Sequence, residues 1–347
     1  MNNKRVKWID IAKGIGIILV VLGHSNWFFA QATTTMFIQK YIYSFHMPLF
    51  FFLSGYLFIK EKYPSFKAFF IKKVKTLLIP YFFFSILSVL FIVILNLKNL
   101  DNLISFKTAI IQIFYLKSTV VWNEPLWFLV CLFVVEIIYY FLSKIKSKKI
   151  IVFILLLCSI TGYSLSFIIN YFILPWGVGI ALIAIAFYGI GNFVRGNETL
   201  NKITLPNVPV FIICLIISVV IGGFLNSIIV MYLYQFGNIF YLYIGAVAGI
   251  IACIQLSQFI SKQNIIIKLF EYYGKNSIVI LCTHYFIFKI LKRINVLNII
   301  FENCISVKGY AYAFITLVIC IPIIFIMNKY FSFILGKKAN KTLEISK

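Results

Sequence analysis

The sequence predicts an all-α integral membrane protein, and three observations carry that expectation. The chain of 347 residues is 62% hydrophobic and 12% charged and contains 38 Phe, far more apolar material than a soluble core of this length buries. Its apolar residues gather into stretches close to the roughly 20 residues a helix needs to span a bilayer. Its Lys and Arg fall between those stretches, mostly in alternate connections. The net charge of +23 therefore reports topology, and no nucleic-acid partner is implied.

Ten transmembrane helices are expected, at about 8–29, 41–59, 77–96, 126–143, 150–169, 176–194, 208–225, 237–257, 276–292 and 310–328. The uncharged segment 150–194 divides at Asn170–Gly177, where Pro175 can begin a new helix, and 203–261 breaks around Asn226–Asn238. The ninth span depends on Lys289 and Lys292 snorkelling to the interface. Alternate connections gather Lys4, Arg5, Lys7, the Lys60–Lys75 loop, Lys144–Lys149, Arg195, Lys202, Lys262–Lys275 and the C-terminal lysines on one side. That side is expected to be cytoplasmic, which places both termini there. Residues 1–347 read as one membrane domain with no separate soluble domain and no repeat of fixed period. The first stretch is long and lacks a small-residue cleavage site, so a retained helix is expected. Seven cysteines without paired spacing imply neither a disulfide framework nor a metal site.

Within these apolar runs a few polar residues stand out, since an ionisable group in a bilayer must find a partner or a water-filled cavity. The chain has three histidines, His24, His46 and His284. Eleven steps lead from Lys13 to His24, about three helical turns or some 16 Å, so both project from one face, with Asp10 nearly in line. This makes the first helix a polar track with catalytic potential; an interfacial Asp10–Lys13 pair and a structural His24 would satisfy the same spacing. His46, in YSFHMPLFFFLSGYLF, is expected at the depth of His24, with Pro48 freeing a carbonyl and Ser54–Gly55 allowing close packing. It reads as a second member of a shared site or as a helix anchor. Lys72, Lys73 and Lys75 could neutralise the phosphates of a cytosolic cofactor or simply anchor a helix end. Glu124, Glu136 and His284 are candidates for a substrate contact or proton path, with buried structural pairing as the other reading.

Four segments taken together carry a resemblance: IDIAKGIGIILVVLGHS, YSFHMPLFFFLSGYLF, KKVKTLLIPY and YGKNSIVILCTH, with PLWFL fitting as a fifth. The chain resembles the acyltransferase-3 family of integral membrane O-acyltransferases, in the branch similar to fucose 4-O-acetylases and exopolysaccharide acetylases. The resemblance implies transfer of an acyl group, usually acetyl, from cytoplasmic acetyl-CoA or another acyl-CoA to a hydroxyl of a cell-surface or lipid-linked carbohydrate. It implies His24, assisted by His46 and Asp10, as the catalytic group, and Lys13 with Lys72, Lys73 and Lys75 on the donor path. Lysine at 13 stands where arginine is more familiar, which keeps the charge and loses bidentate geometry. A bacterial cytoplasmic membrane location and a pore between the first three helices are expected. Partners would be the bilayer, the carbohydrate acceptor, and polysaccharide-assembly proteins or further copies of the chain; no metal is called for. A transporter or flippase of lipid-linked saccharides is the competing class, although it would usually show an internal repeat.

Overall fold

In the computed structural model the described residues are 6–29, 33–95, 106–115, 123–168, 174–262, 264–294 and 305–337. Lys4, Arg5, Asn170 and the lysines beyond Lys337 lie outside them. The chain runs as α1 (Lys7–Phe29), α2 (Thr33–Leu57), α3 (Phe66–Lys73), α4 (Ile79–Leu95), α5 (Phe106–Tyr115), α6 (Trp127–Leu142), α7 (Lys148–Phe167), α8 (Val178–Arg195), α9 (Glu198–Asn201), α10 (Val208–Ser218), α11 (Ile239–Ile260), α12 (Asn264–Lys275), α13 (Ser277–Ile294) and α14 (Ile305–Tyr330). The described residues contain one isolated β-bridge, Val230 to Gln235, and no named strand. The protein is an all-α polytopic membrane bundle.

Among the described residues, eight helices are long and apolar enough to cross a membrane. The two remaining expected spans, 41–59 and 276–292, are also helical, as α2 and α13, but fall short of that apolar standard. The deficit has a physical cause. Lipid-facing helices such as α7 and α10 expose Phe153, Leu156, Ile160, Ile213 and Ile216, whereas Phe51 and Leu53 of α2 and Ile280 and Phe288 of α13 are enclosed by protein. A helix sheltered by its neighbours can carry His46 or His284 without presenting it to hydrocarbon.

The helix containing the lysine cluster begins earlier than 77. Ser65 caps it by accepting a hydrogen bond from Ala68 N–H, and α3 continues through a π turn at Val74–Leu78 into α4. Pro80 has no N–H to offer the preceding turn, and the wider turn accommodates that loss while the helix continues. Lys72, Lys73 and Lys75 therefore lie inside a helix rather than before one. α5, in the connection between the third and fourth spans, has no counterpart among the expected helices.

α1 sits at the centre, packed on α2, α11, α12, α13 and α14. Two of its contacts depend on glycine. A Cβ at Gly14 would strike the Phe270 carbonyl of α12, and one at Gly274 would strike the Asp10 carbonyl of α1. α2 and α8 approach equally closely, Gly55 facing the Tyr188 carbonyl and Gly191 the Phe52 carbonyl. Backbone-to-backbone packing of this kind fixes the azimuth of each helix and hence the direction of its polar residues.

Candidate active site

Three helices bring all three histidines together. His24 Nδ1 lies 2.9 Å from His284 Nε2, and the His24 and His46 rings are 6.5 Å apart and perpendicular. Each partner histidine is tethered to its own helix. His284 Nδ1 donates to the Ile280 carbonyl at 2.8 Å, and His46 Nδ1 donates to the Ile42 carbonyl at 2.8 Å. A carbonyl can only accept, so both rings carry hydrogen on Nδ1 and present a lone pair at Nε2. Tyr43 and Tyr285 stand edge-on to His24, at 5.8 and 5.1 Å between centroids.

His24 and His46 line a narrow pocket with Tyr43, Trp127, Met231 and Tyr232. Its roof is the connection around 226–238. Asn226 holds that connection closed, accepting from the Ser227 and Asn238 N–H groups and donating to the Phe236 carbonyl. The break expected at Asn226–Asn238 is present, yet its contribution of Met231 and Tyr232 to the site carried no signal in the sequence. Trp127 supplies the aromatic wall from PLWFL, and the preceding Asn123 ties this corner to α13 by donating to the Cys282 carbonyl at 2.8 Å.

A second hollow is lined by Lys13, Ser54, Tyr63, Lys73, Thr76 and Glu136. Lys73 Nζ lies 2.8 Å from Glu136 Oε1, and both side chains are largely buried. Of the three clustered lysines only Lys73 turns inward; Lys72 and Lys75 are exposed. The two hollows share walls from α1, α2, α6 and α13 and lie toward opposite ends of them: Lys13 and His24 on α1, Glu136 and Trp127 near α6. Phe50, Phe51 and Phe128 pack between them, with Phe51 and Phe128 5.0 Å apart. The walls thus hold more than the three helices expected: the third helix reaches the basic hollow with Lys73, Thr76 and Leu77, and α6 and α13 are interleaved with the first three.

The remaining expected site residues are distributed around this frame. Glu124 is hydrogen-bonded to Tyr285, next to the histidines. Asp10 is buried near the Lys13 end of α1, fourteen residues or about 21 Å of helix from His24. The structure does not bring it to the imidazoles. Arg195 ends α8 as expected and also donates to the Tyr56 carbonyl at 3.0 Å.

The sequence matches the profile of the acyltransferase-3 family, described as an acyltransferase domain, over residues 6–329. The chain belongs to the acyltransferase-3 family. This membership decides against the transporter or flippase class and makes the protein a membrane acyltransferase. The acyltransferase is also similar to nodulation protein NolL of Mesorhizobium japonicum, 45% identical over 60 residues, which cover 16% of each chain. No solved structure matches it. All five quoted segments fall within the matched region, including the three that carry the histidines.

Proposed function

We propose that the protein transfers an acetyl or other acyl group from cytoplasmic acyl-CoA to a hydroxyl of a cell-envelope carbohydrate, across a bacterial cytoplasmic membrane. The observation that supports this reading most is the pair of hollows set toward opposite ends of one group of helices, basic at one and imidazole-lined at the other. The polyanionic coenzyme belongs with Lys13 and the exposed Lys72 and Lys75, and its thiol arm reaches past Phe50 and Phe128 toward His24. Lys73 contributes to this end through its pair with Glu136. The charge distribution supports a cytoplasmic position for this end and for both termini. The acceptor enters the other hollow, where Tyr43, Trp127 and Tyr232 offer aromatic faces to a sugar ring.

His24 Nε2 serves as the base. It takes the proton of the acceptor hydroxyl as that oxygen attacks the thioester carbonyl; the carbon–sulfur bond then breaks and the sulfur leaves with the proton. His46 Nε2, on the same pocket, holds the acceptor hydroxyl toward His24. The residues bring no need for a metal to this step.

The reading is tested in a strain lacking the gene by measuring ester and total carbohydrate in the envelope glycan. Loss of O-acyl ester with the amount of polymer unchanged is expected. Loss of the polymer itself, or full ester content, would overturn the acceptor assignment.

A further inference from the structure

We infer that His284 is a positioning residue that fixes the tautomer and plane of His24, an assignment that rests on His24 acting as the base. The chain of hydrogen bonds leaves one solution for neutral rings. The Ile280 carbonyl accepts from His284 Nδ1, so His284 Nε2 has no hydrogen and must accept from His24 Nδ1. His24 is thereby protonated at Nδ1, and its basic nitrogen is Nε2. The rings are coplanar within 5° with centroids 5.2 Å apart. Together with the 2.9 Å nitrogen separation, that describes edge-to-edge rings sharing an in-plane hydrogen bond rather than rings stacked face to face.

His284 is fully buried, edge-on to Tyr285 at 5.1 Å and Phe288 at 5.6 Å, and it is not among the residues lining the pocket. It therefore meets no substrate. Nor can it pass a proton onward, because its Nδ1–H ends on a carbonyl, which takes no proton in this chemistry. The sequence reading of His284 as part of a proton path gives way to a fixed acceptor at the end of the chain. When His24 gains the hydroxyl proton at Nε2, its Nδ1–H stays bonded to the His284 lone pair, which stabilises the imidazolium. A third group that orients and supports the base is the logic of hydrolase triads, here supplied by a neutral ring. A carboxylate in the same place would bring a buried charge needing compensation whenever His24 is neutral.

Three histidines in the whole chain make the test direct. Protein labelled with ¹⁵N-histidine in lipid, with His46→Ala for assignment, gives the His24 ring-nitrogen shifts. An Nδ1-protonated His24 is expected in the native protein and in His284→Gln, whose amide oxygen can stand in for Nε2. A mixed or Nε2-protonated ring is expected in His284→Ala. In inverted membrane vesicles supplied with [¹⁴C]acetyl-CoA, His284→Ala should lower apparent kcat about 10- to 100-fold, the range for a hydrogen bond to a charged group. Its apparent KM for acetyl-CoA should stay within about twofold, and Gln should restore most of the rate. An Nε2-protonated His24 in the native protein, full activity of His284→Ala, or a folded Gln variant as slow as Ala would each overturn the assignment. Full activity of His24→Ala would instead defeat the base reading on which it rests, whatever the spectra show.

Discussion

Replacing Lys73 by Met removes the cation bonded to Glu136 and leaves a carboxylate in an apolar helix. The Glu136 side chain is 5% exposed and its Oε2 is buried without a hydrogen-bond partner, so the Lys73 bond is its principal direct compensation. Breaking a buried pair from one side costs about 3–5 kcal/mol, whereas exchanging both partners for apolar side chains is close to neutral. Glu136→Leu should cost less, about 1–2 kcal/mol, because Lys73 is 17% exposed and borders the basic hollow, where its ammonium can turn toward water. The double variant Lys73→Met/Glu136→Leu should lie within about 1 kcal/mol of the native protein. Unfolding by SDS titration in mixed micelles measures all four corners of the cycle, with Lys72→Met as an exposed control expected to change less than about 0.5 kcal/mol. A coupling of about 3 kcal/mol or more is expected. Single variants whose costs simply add would refute the view that the pair is one desolvated unit.

Lys13→Ala should raise the apparent KM for acetyl-CoA about tenfold or more while Lys13→Arg stays near native, measured by initial rates in inverted vesicles; an unchanged KM would separate Lys13 from the donor. Trp127→Ala should lower transfer about 3- to 10-fold at limiting acceptor, the scale of one aromatic contact, with donor KM unaltered; equal loss at saturating acceptor would place Trp127 in packing alone. Gly274→Ala should destabilise by more than about 2 kcal/mol, because the new methyl meets the Asp10 carbonyl of α1 and backbone cannot give way cheaply. A native melting temperature for that variant would contradict the close α1–α12 crossing.

Most of the fold was legible because bilayer thickness imposes a length on every span, and eight of the ten expected stretches are long and apolar enough to show it, whereas the two that become α2 and α13 are not. Where the reading fell short, the cause lies in tertiary structure. The third span was expected to begin at 77, yet α3 and the π turn at Val74–Leu78 extend the helix back to Phe66, and this places Lys72 and Lys73 in α3 and Lys75 in the π turn. His24 and His46 share a pocket as their matched depth implied. His284 looked the least connected of the three, since nothing in local spacing joins residues 24 and 284; the α1–α13 packing does so, with α12 folded beneath by Gly14 and Gly274. Asn276 in the same segment proves structural: its amide oxygen accepts from Asn328 at 2.8 Å, fixing the α12–α13 corner. Met231 and Tyr232 were invisible for a different reason. A loop between two apolar helices carries no pattern that says it folds back over a site, and the Asn226 clamp exists only once the loop has folded.

The account turns on one nitrogen, His24 Nε2. Its most direct test is transfer of label from [¹⁴C]acetyl-CoA to envelope carbohydrate by inverted vesicles containing His24→Ala at native abundance and melting temperature. A loss of about 10²- to 10⁴-fold in kcat, the contribution of a positioned general base, is predicted with little change in donor KM. Transfer at the native rate would contradict it.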